Sequence, residues 1–585
     1  MMNMENTGTS LMSIRDLIDE ISNSNILIPE FVGEVVNFLF AVFTERDIEV
    51  LFEKIYDGWP VEEIVFWKCT EPVPNVKFYS SVQHLSMGKT EEPYRTGVPG
   101  NLENKSAPFR AVLYGAHVLN FLYFGLRGID AFHFGFGENC PPLYLNLYWS
   151  DNSIYRNHNR FLCLSEDIYK EETQNGSVWV QPGRVLDEDP QSIIDSVPLP
   201  PNAVGQAEKI LTRLADRINS QRALCCYSIE HAPFDEAFDM FLCFPPPFSE
   251  RERLYLDDKL VYLLAAKWKQ YDAKEEFRLL SEFIEPCNTH SAGNQNDVIL
   301  KSCMSLFIDD TLFLSVPEVS EHAQKIEENW PRIRQSIKYV YGLLKQIWGE
   351  KGWPGDSKFG NILVYWFYQK GVRDENVCDD ITAAKKWLAL GRLFSGFYSF
   401  GNSPGSDDVR KIKTFIDEIE GGVFPFDAIK QFMIENCIWK PYTDEKIEKL
   451  TALRADSYET EYLLPLLWPR TIAGESDKTK AVHLHPKSFF EDREKLKEVF
   501  GNNPDDLLFA ADPKNWNSVL NLCLVPVEKA EMKEQMSLKE WAEMTGTPNS
   551  ALCVDPGVSL DVKDFRAFIE NRRKNIKAVL RDLLR

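Results

Sequence analysis

The stretch AVLYGAHVLNFLYFGLRGID, residues 111–130, passes from a strand-like run into a helical one. Ala111-Val112-Leu113 is short and apolar, as a buried strand requires. From there to Leu126 the apolar residues continue on every side, which predicts a helix buried on both sides rather than an amphipathic surface helix. Upstream, Ser13-Ile14-Arg15-Asp16 reads as a capping box before a helix with Ile14, Leu17, Ile18 and Ile21 on one face. Ile26-Leu27-Ile28-Pro29 reads as a buried strand ending in a turn. Leu39 to Ile55 has helical spacing and is stopped by Gly58-Trp59-Pro60. Glu63 to Lys68 and Leu143 to Tyr148 are strand-like, and Ser86 to Lys105 is a Gly-, Pro- and charge-rich loop. This mixture predicts an α/β or α+β domain over residues 1–245.

The pattern changes after Pro245-Pro246-Pro247. From Leu254 to about Ile438 apolar residues recur at three and four, as in Ile326, Trp330, Ile333, Ile337, Val340, Tyr341 and Leu344. Strand signals are scarce there, so residues 246–440 are expected to be an all-helical domain. A third unit, residues 441–585, ends in a helix over Val562 to Leu584. Its expected core face is Phe565, Phe568, Ile569, Ile576, Val579, Leu580 and Leu583. The fold class is therefore α+β.

At 585 residues, 44% hydrophobic and 26% charged, the composition is that of a folded chain of several domains, not of a disordered or fibrous one. A net charge of −23 opposes a broad histone-like wrap of DNA, although it leaves room for a local basic groove. No apolar run reaches 18 residues, so no membrane partner is expected. Twelve cysteines without a C-x-x-C pair suggest neither a disulfide framework nor a zinc ribbon, and the Cys225–Cys226 pair reads as strand packing. With no secretory pattern at the N-terminus, a reducing cytoplasm is expected.

Common catalytic signatures are missing. Gly88-Lys89-Thr90 lacks the leading glycine of a phosphate-binding loop, since position 83 is Gln. No G-x-S-x-G, H-E-x-x-H or G-x-G-x-x-G occurs. The FPPPF run at 244–248 reads as a domain-joining turn rather than a polyproline ligand.

Three separated segments, ILIPEF at 26–31, AVLYGAHVLNFLYFGLRGID at 111–130 and AVHLHPKSFF at 481–490, together resemble the GmrSD-type restriction family. The likeness extends to Glu53–Trp67, to the segment at 326–344 and to the final FRAFIENRRKNIKAVLRDLL at 565–584. It implies an N-terminal ParB/sulfiredoxin-like nucleotidase domain with a D-G-Q-Q-R motif. It also implies a C-terminal His-Asn-His-like nuclease domain of the ββα-metal type, joined here through the helical middle.

The departures from that pattern are concentrated in the motifs. Where the family has D-G-Q-Q-R-L-T, this chain has Tyr114-Gly115-Ala116-His117-Val118-Leu119-Asn120. Tyr114, Gly115 and His117 are thus a degenerate nucleotide-binding set, lacking the cationic forks and acid that hold a triphosphate and its metal. Val32-Gly33 replaces Gln-Arg after I-P-x-F, and Phe241 to Pro245 lacks the family's Arg and Asn. In the nuclease motif D/E-H-x-x-P, His483 takes the general-base position but Val482 replaces the acid. Asn521 and Lys533 match later positions, and Ala530 stands where an Asn is expected. His485 is a spare imidazole. His483, His485, Asn521 and Lys533 are therefore the residual nuclease positions, and no metal is expected, because a neutral His and Asn hold Mg²⁺ poorly.

The expected function is that of a catalytically degenerate subunit, a pseudo-enzyme, serving as regulator, scaffold or sensor in a bacterial anti-phage or restriction system. Its expected partner is an active homologous subunit or a second copy of itself. The alternative is an active NTP-dependent DNA endonuclease with rearranged residues, which alone would call for Mg²⁺ or nucleotide. The expected route to DNA is the last 25 residues, whose Lys563, Arg566, Arg572, Arg573, Lys574, Lys577, Arg581 and Arg585 against Asp561, Asp564, Glu570 and Asp582 give a net charge of +4. The opposing reading makes these cations a solvated face paired with the acidic body of the protein.

Overall fold

In the computed structural model, the described residues are 7–33, 44–71, 73–79, 108–129, 140–149, 160–243, 257–284, 295–311, 314–348, 357–395, 405–467 and 479–584. Gly88-Lys89-Thr90, the 86–105 loop, the 244–248 run, residues 39–43 and Arg585 lie outside them. The architecture is mixed α+β, in two compact units. One comprises Met1–Ala273 with Val316–Ala323, the other Lys274–Ser315 with Gln324–Arg585.

The first unit contains β1 (Thr7–Met12), β2 (Ile26–Pro29), β3 (Ile64–Cys69), β4 (Phe78–Tyr79), β5 (Phe109–Tyr114), β6 (Leu143–Asn146), β7 (Phe161–Cys163), β8 (Trp179–Val180) and β9 (Leu224–Ile229). Six of them form one mixed sheet, in the order β1-β9-β3-β5-β2-β4. Parallel pairs β3/β9 and β2/β5 alternate with antiparallel pairs β1/β9, β3/β5 and β2/β4. The other three form a small sheet in the order β7-β6-β8.

Local sequence accounts for the framework. Ser13 Oγ accepts the Asp16 N–H and starts helix Ile14–Ser22, which buries Ile14, Leu17, Ile18 and Ile21 as the periodicity predicts. Chain continues from Pro29 directly into a helical turn rather than a loop. Gly58, in the left-handed region at φ 81°, ends helix Glu45–Asp57. Helix Ala116–Arg127 is buried on every side from Ala116 to Leu126. A Cβ on Gly125 would lie 2.3 Å from the Phe52 ring, so the small residue is what lets this helix pack closely on helix Glu45–Asp57. Arg160, buried beside that helix, is matched by Glu53 and Asp57 at 3.0 Å each and by the rings of Tyr56 and Trp149. Of the adjacent cysteines in β9, Cys226 is fully buried but Cys225 only partly, because successive strand residues face opposite sides of the sheet.

In the second unit no strand occurs among the described residues before β10 (Thr479–His483), as the helical periodicity predicts. Ile326, Trp330, Ile333, Ile337 and Val340 are all buried. β10 pairs antiparallel with β11 (Leu522–Pro526), and helix Val527–Gln535 follows at once. The final helix, Phe565–Leu584, departs from the expected face at two positions. Val579 is 41% exposed, and Arg572, counted among the cations, is fully buried.

Candidate functional site

Around the two-stranded sheet the structure brings His483, His485, Asn521 and Lys533 into one hydrogen-bonded knot. Asn521 is fully buried. Its Oδ1 accepts the His485 N–H at 2.9 Å, and its Nδ2 donates to the carbonyls of His485 and Trp516, each at 2.9 Å. The Asn521 carbonyl accepts the Leu484 N–H at 2.7 Å. The side chain thus extends the β10–β11 pairing past the end of the strand. Lys533, also fully buried, donates to the Leu484 carbonyl at 2.6 Å and the His483 carbonyl at 3.3 Å. Burial pulls its ammonium down to about 8.

The two histidines face different surroundings. His485 is sealed edge-on against Phe565 and Phe568, at ring distances of 5.5 and 4.8 Å. Its Nε2 has no hydrogen-bond partner among the described residues, and burial lowers it to about 3, so it is neutral at physiological pH. His483, partly buried at the end of β10, pairs its Nε2 with Asn517 Oδ1 at 3.2 Å. Its pKa is lowered, chiefly by burial, and the Asn517 contact opposes that shift. Val482 lies opposite Cys523 and is buried, so it points to the other face of the strand from His483. Glu534, whose field raises His483, sits 3.8 Å from Lys480. Among the described residues no three His, Cys, Asp or Glu side chains converge as metal ligands. Of the oxygens beside His483, the backbone carbonyls of His483 and Leu484 are already taken by Lys533, and Asn517 Oδ1 by the imidazole.

In the first unit, Gly115 carries φ 83° at the turn from β5 into helix Ala116–Arg127. A Cβ there would lie 2.8 Å from the Glu63 carbonyl oxygen, so both conformation and space demand glycine. His117 is 6% exposed, and its Nε2 lies 2.8 Å from Glu62 Oε2. The His117 hydrogen bond, more than any other influence, holds the Glu62 carboxyl below its usual value. Tyr114 is partly buried and raised, first by burial and then by Glu62 and Glu63. Sequence reasoning missed Glu62, which stands 55 residues from its partner. Phe31 packs with Phe234, Phe238, Phe241 and Tyr262.

The cations of the last helix are engaged by their own unit. Arg572 donates to the carbonyls of Leu552, Leu520 and Leu522, and burial lowers it to about 10. Arg566 pairs with Glu570, Arg573 and Lys577 with Glu448, Lys574 with Asp555, Arg581 with Asp444 and Lys563 with Asp561.

No model of a known protein family matches the chain, and no curated protein matches it. The likeness to the GmrSD-type family rests on the quoted segments.

Proposed function

We propose that this chain is a catalytically degenerate GmrSD-type subunit that acts by binding, as regulator, scaffold or sensor beside an active homologous subunit in a bacterial anti-phage or restriction system. The reading assigns a ParB/sulfiredoxin-like fold to the first domain and a His-Asn-His-like fold to the last. One observation carries it: at the residual nuclease positions, Asn521 and Lys533 spend their side-chain polar groups on the chain's own carbonyls and amides, and His485 is sealed among aromatic rings. Groups so committed hold a strand end in place and have little left for a scissile phosphate or a metal-bound water.

The nucleotide position supports the same reading, since Tyr114, Gly115 and His117 offer no cationic fork to a triphosphate. GTPase and ATPase assays with Mg²⁺ on the purified chain test it, with turnover expected at background. The second reading, an active NTP-dependent endonuclease with rearranged residues, draws on the His117–Glu62 pair, a carboxylate–imidazole contact at the motif position. Turnover abolished by Glu62→Gln or His117→Ala in a folded protein would establish that alternative.

A further inference from the structure

Cys140 and Cys163 meet beside the small sheet of the first unit, and both are free thiols, half-buried rather than sealed in the core. Cys163 ends β7 and lies opposite Leu143, which begins β6. The pairing runs one step further, because the Leu164 N–H donates to the Pro142 carbonyl at 3.0 Å. Cys140 is joined to that point by Pro141 and Pro142, whose rings fix a backbone torsion each and so restrict where its thiol can lie.

Helix Glu45–Asp57 holds Cys163 from the other side. The Cys163 N–H donates to Glu49 Oε1 at 3.1 Å, and its Sγ lies 4.0 Å from the Glu45 carbonyl oxygen. Glu53 holds the start of the same strand, accepting the N–H groups of Arg160 and Phe161 at 2.8 and 3.1 Å. With both segments held, the two thiols share a hydrogen bond, the Cys163 S–H donating to the Cys140 sulfur. By contrast Cys69, Cys226, Cys303 and Cys523 are buried.

The two sulfurs are not equivalent. The hydrogen bond to Cys140, ahead of burial and of the charges of Cys140, Glu49 and Glu45, keeps Cys163 protonated well beyond the usual thiol range. Cys140, whose sulfur accepts that proton, is therefore the nucleophile of the pair. Once Cys140 carries an oxygen, its negative charge and its role as acceptor are gone. Cys163 then ionises more readily and sits beside an electrophilic sulfur.

Independently of the subunit reading, we propose that Cys140 and Cys163 form a peroxide-responsive pair, reduced at rest and joined as a disulfide on oxidation. Cys140 takes one oxygen from a hydroperoxide, releasing the corresponding alcohol or water, and becomes a sulfenic acid. The Cys163 sulfur then bonds to the Cys140 sulfur and displaces the hydroxyl, which leaves as water with the Cys163 proton. Two thiols and one hydroperoxide thus give one disulfide, one water and the alcohol or a second water. The bond closes residues 140–163 into a loop and restrains the chain ahead of β6 against β7.

The test is peptide mapping of the full folded chain, treated with hydrogen peroxide, alkylated and digested without reduction. A linked peptide pair carrying Cys140 and Cys163, separated again by dithiothreitol, is expected. In Cys163→Ser the sulfenic acid has no thiol to resolve it, so dimedone should label Cys140. In Cys140→Ser no dimedone adduct is expected at Cys163, and circular dichroism of both variants controls for folding. The oxidised wild type should melt a few degrees above the reduced form, and neither serine variant should show that rise. Cys140 and Cys163 each alkylated in the oxidised wild type, or linked to other cysteines, would overturn the proposal without recourse to any variant. Dimedone on Cys163 in folded Cys140→Ser, with none on Cys140 in folded Cys163→Ser, would overturn the assignment of Cys140 as the nucleophile.

Discussion

Asn521 and His485 exchange two hydrogen bonds, Asn521 Oδ1 accepting the His485 N–H and Asn521 Nδ2 donating to the His485 carbonyl, both at 2.9 Å. A side-chain amide here does the work of one more pair of strand residues. It lets the chain leave the sheet after β10 while the amide and carbonyl of His485 stay satisfied.

Truncating that amide is expected to be costly. Asn521→Ala strands a buried N–H and two buried carbonyls, each costing about 1–3 kcal/mol. Urea unfolding should show a loss of at least about 3 kcal/mol. A loss below about 1 kcal/mol would mean that the knot is not structural.

The last helix separates two kinds of arginine. Arg572→Ala removes a fully buried side chain from three carbonyls and should destabilise by more than about 3 kcal/mol. Arg566→Ala removes exposed ion pairs with Glu570 and Asp506 and should leave the urea midpoint nearly unchanged. Similar midpoints for the two variants would contradict the assignment of Arg572 to the core.

Acid stability should depend on His485. Its pKa is about 3 in the folded chain against an ordinary value near 6.5, so the unfolded chain binds the extra proton between those limits. Stability is therefore full above pH 6.5 and falls as pH drops toward 3. His485→Leu removes the proton site and keeps an apolar group against Phe565 and Phe568. It should lessen the acid slope by up to about 1.4 kcal/mol per pH unit, read from urea midpoints across pH 4–6.5. An unchanged slope would mean that His485 is not held neutral.

An acid introduced at position 482 should not create a metal site. Val482 faces away from His483, across from Cys523, whose thiol lies within the influence of Lys533 and Arg572. The carboxylate of Val482→Asp would meet those cations rather than join His483. Calorimetry should show no gain in Mn²⁺ affinity, and a gain of tenfold would show that the two positions can converge.

Much of the framework is legible in the sequence because it follows local rules. The Ser13 cap, the four isoleucine and leucine positions after it, and the all-round apolar helix after Gly115 need no distant partner to be read. The sites were less legible, since their meaning comes from tertiary neighbours. Glu62 gains significance only from a histidine 55 residues away. Arg572 reads as a surface cation in a charge count. Its spacing, four residues after Phe568 and four before Ile576, places it on the apolar stripe, and that signal outranks its charge. The parallel pairing of β3 with β9 joins strands some 160 residues apart, for which the sequence carries no local mark.

On the proposed function, His483, His485, Asn521 and Lys533 hold the fold and do not cut DNA. The most direct measurement is cleavage of supercoiled DNA by the purified chain with Mg²⁺ or Mn²⁺, wild type beside His483→Ala. No nicking above background is expected in either protein, with matching melting temperatures within a few degrees, about what a partly buried contact contributes. Robust wild-type cleavage that disappears in a folded His483→Ala protein would contradict it.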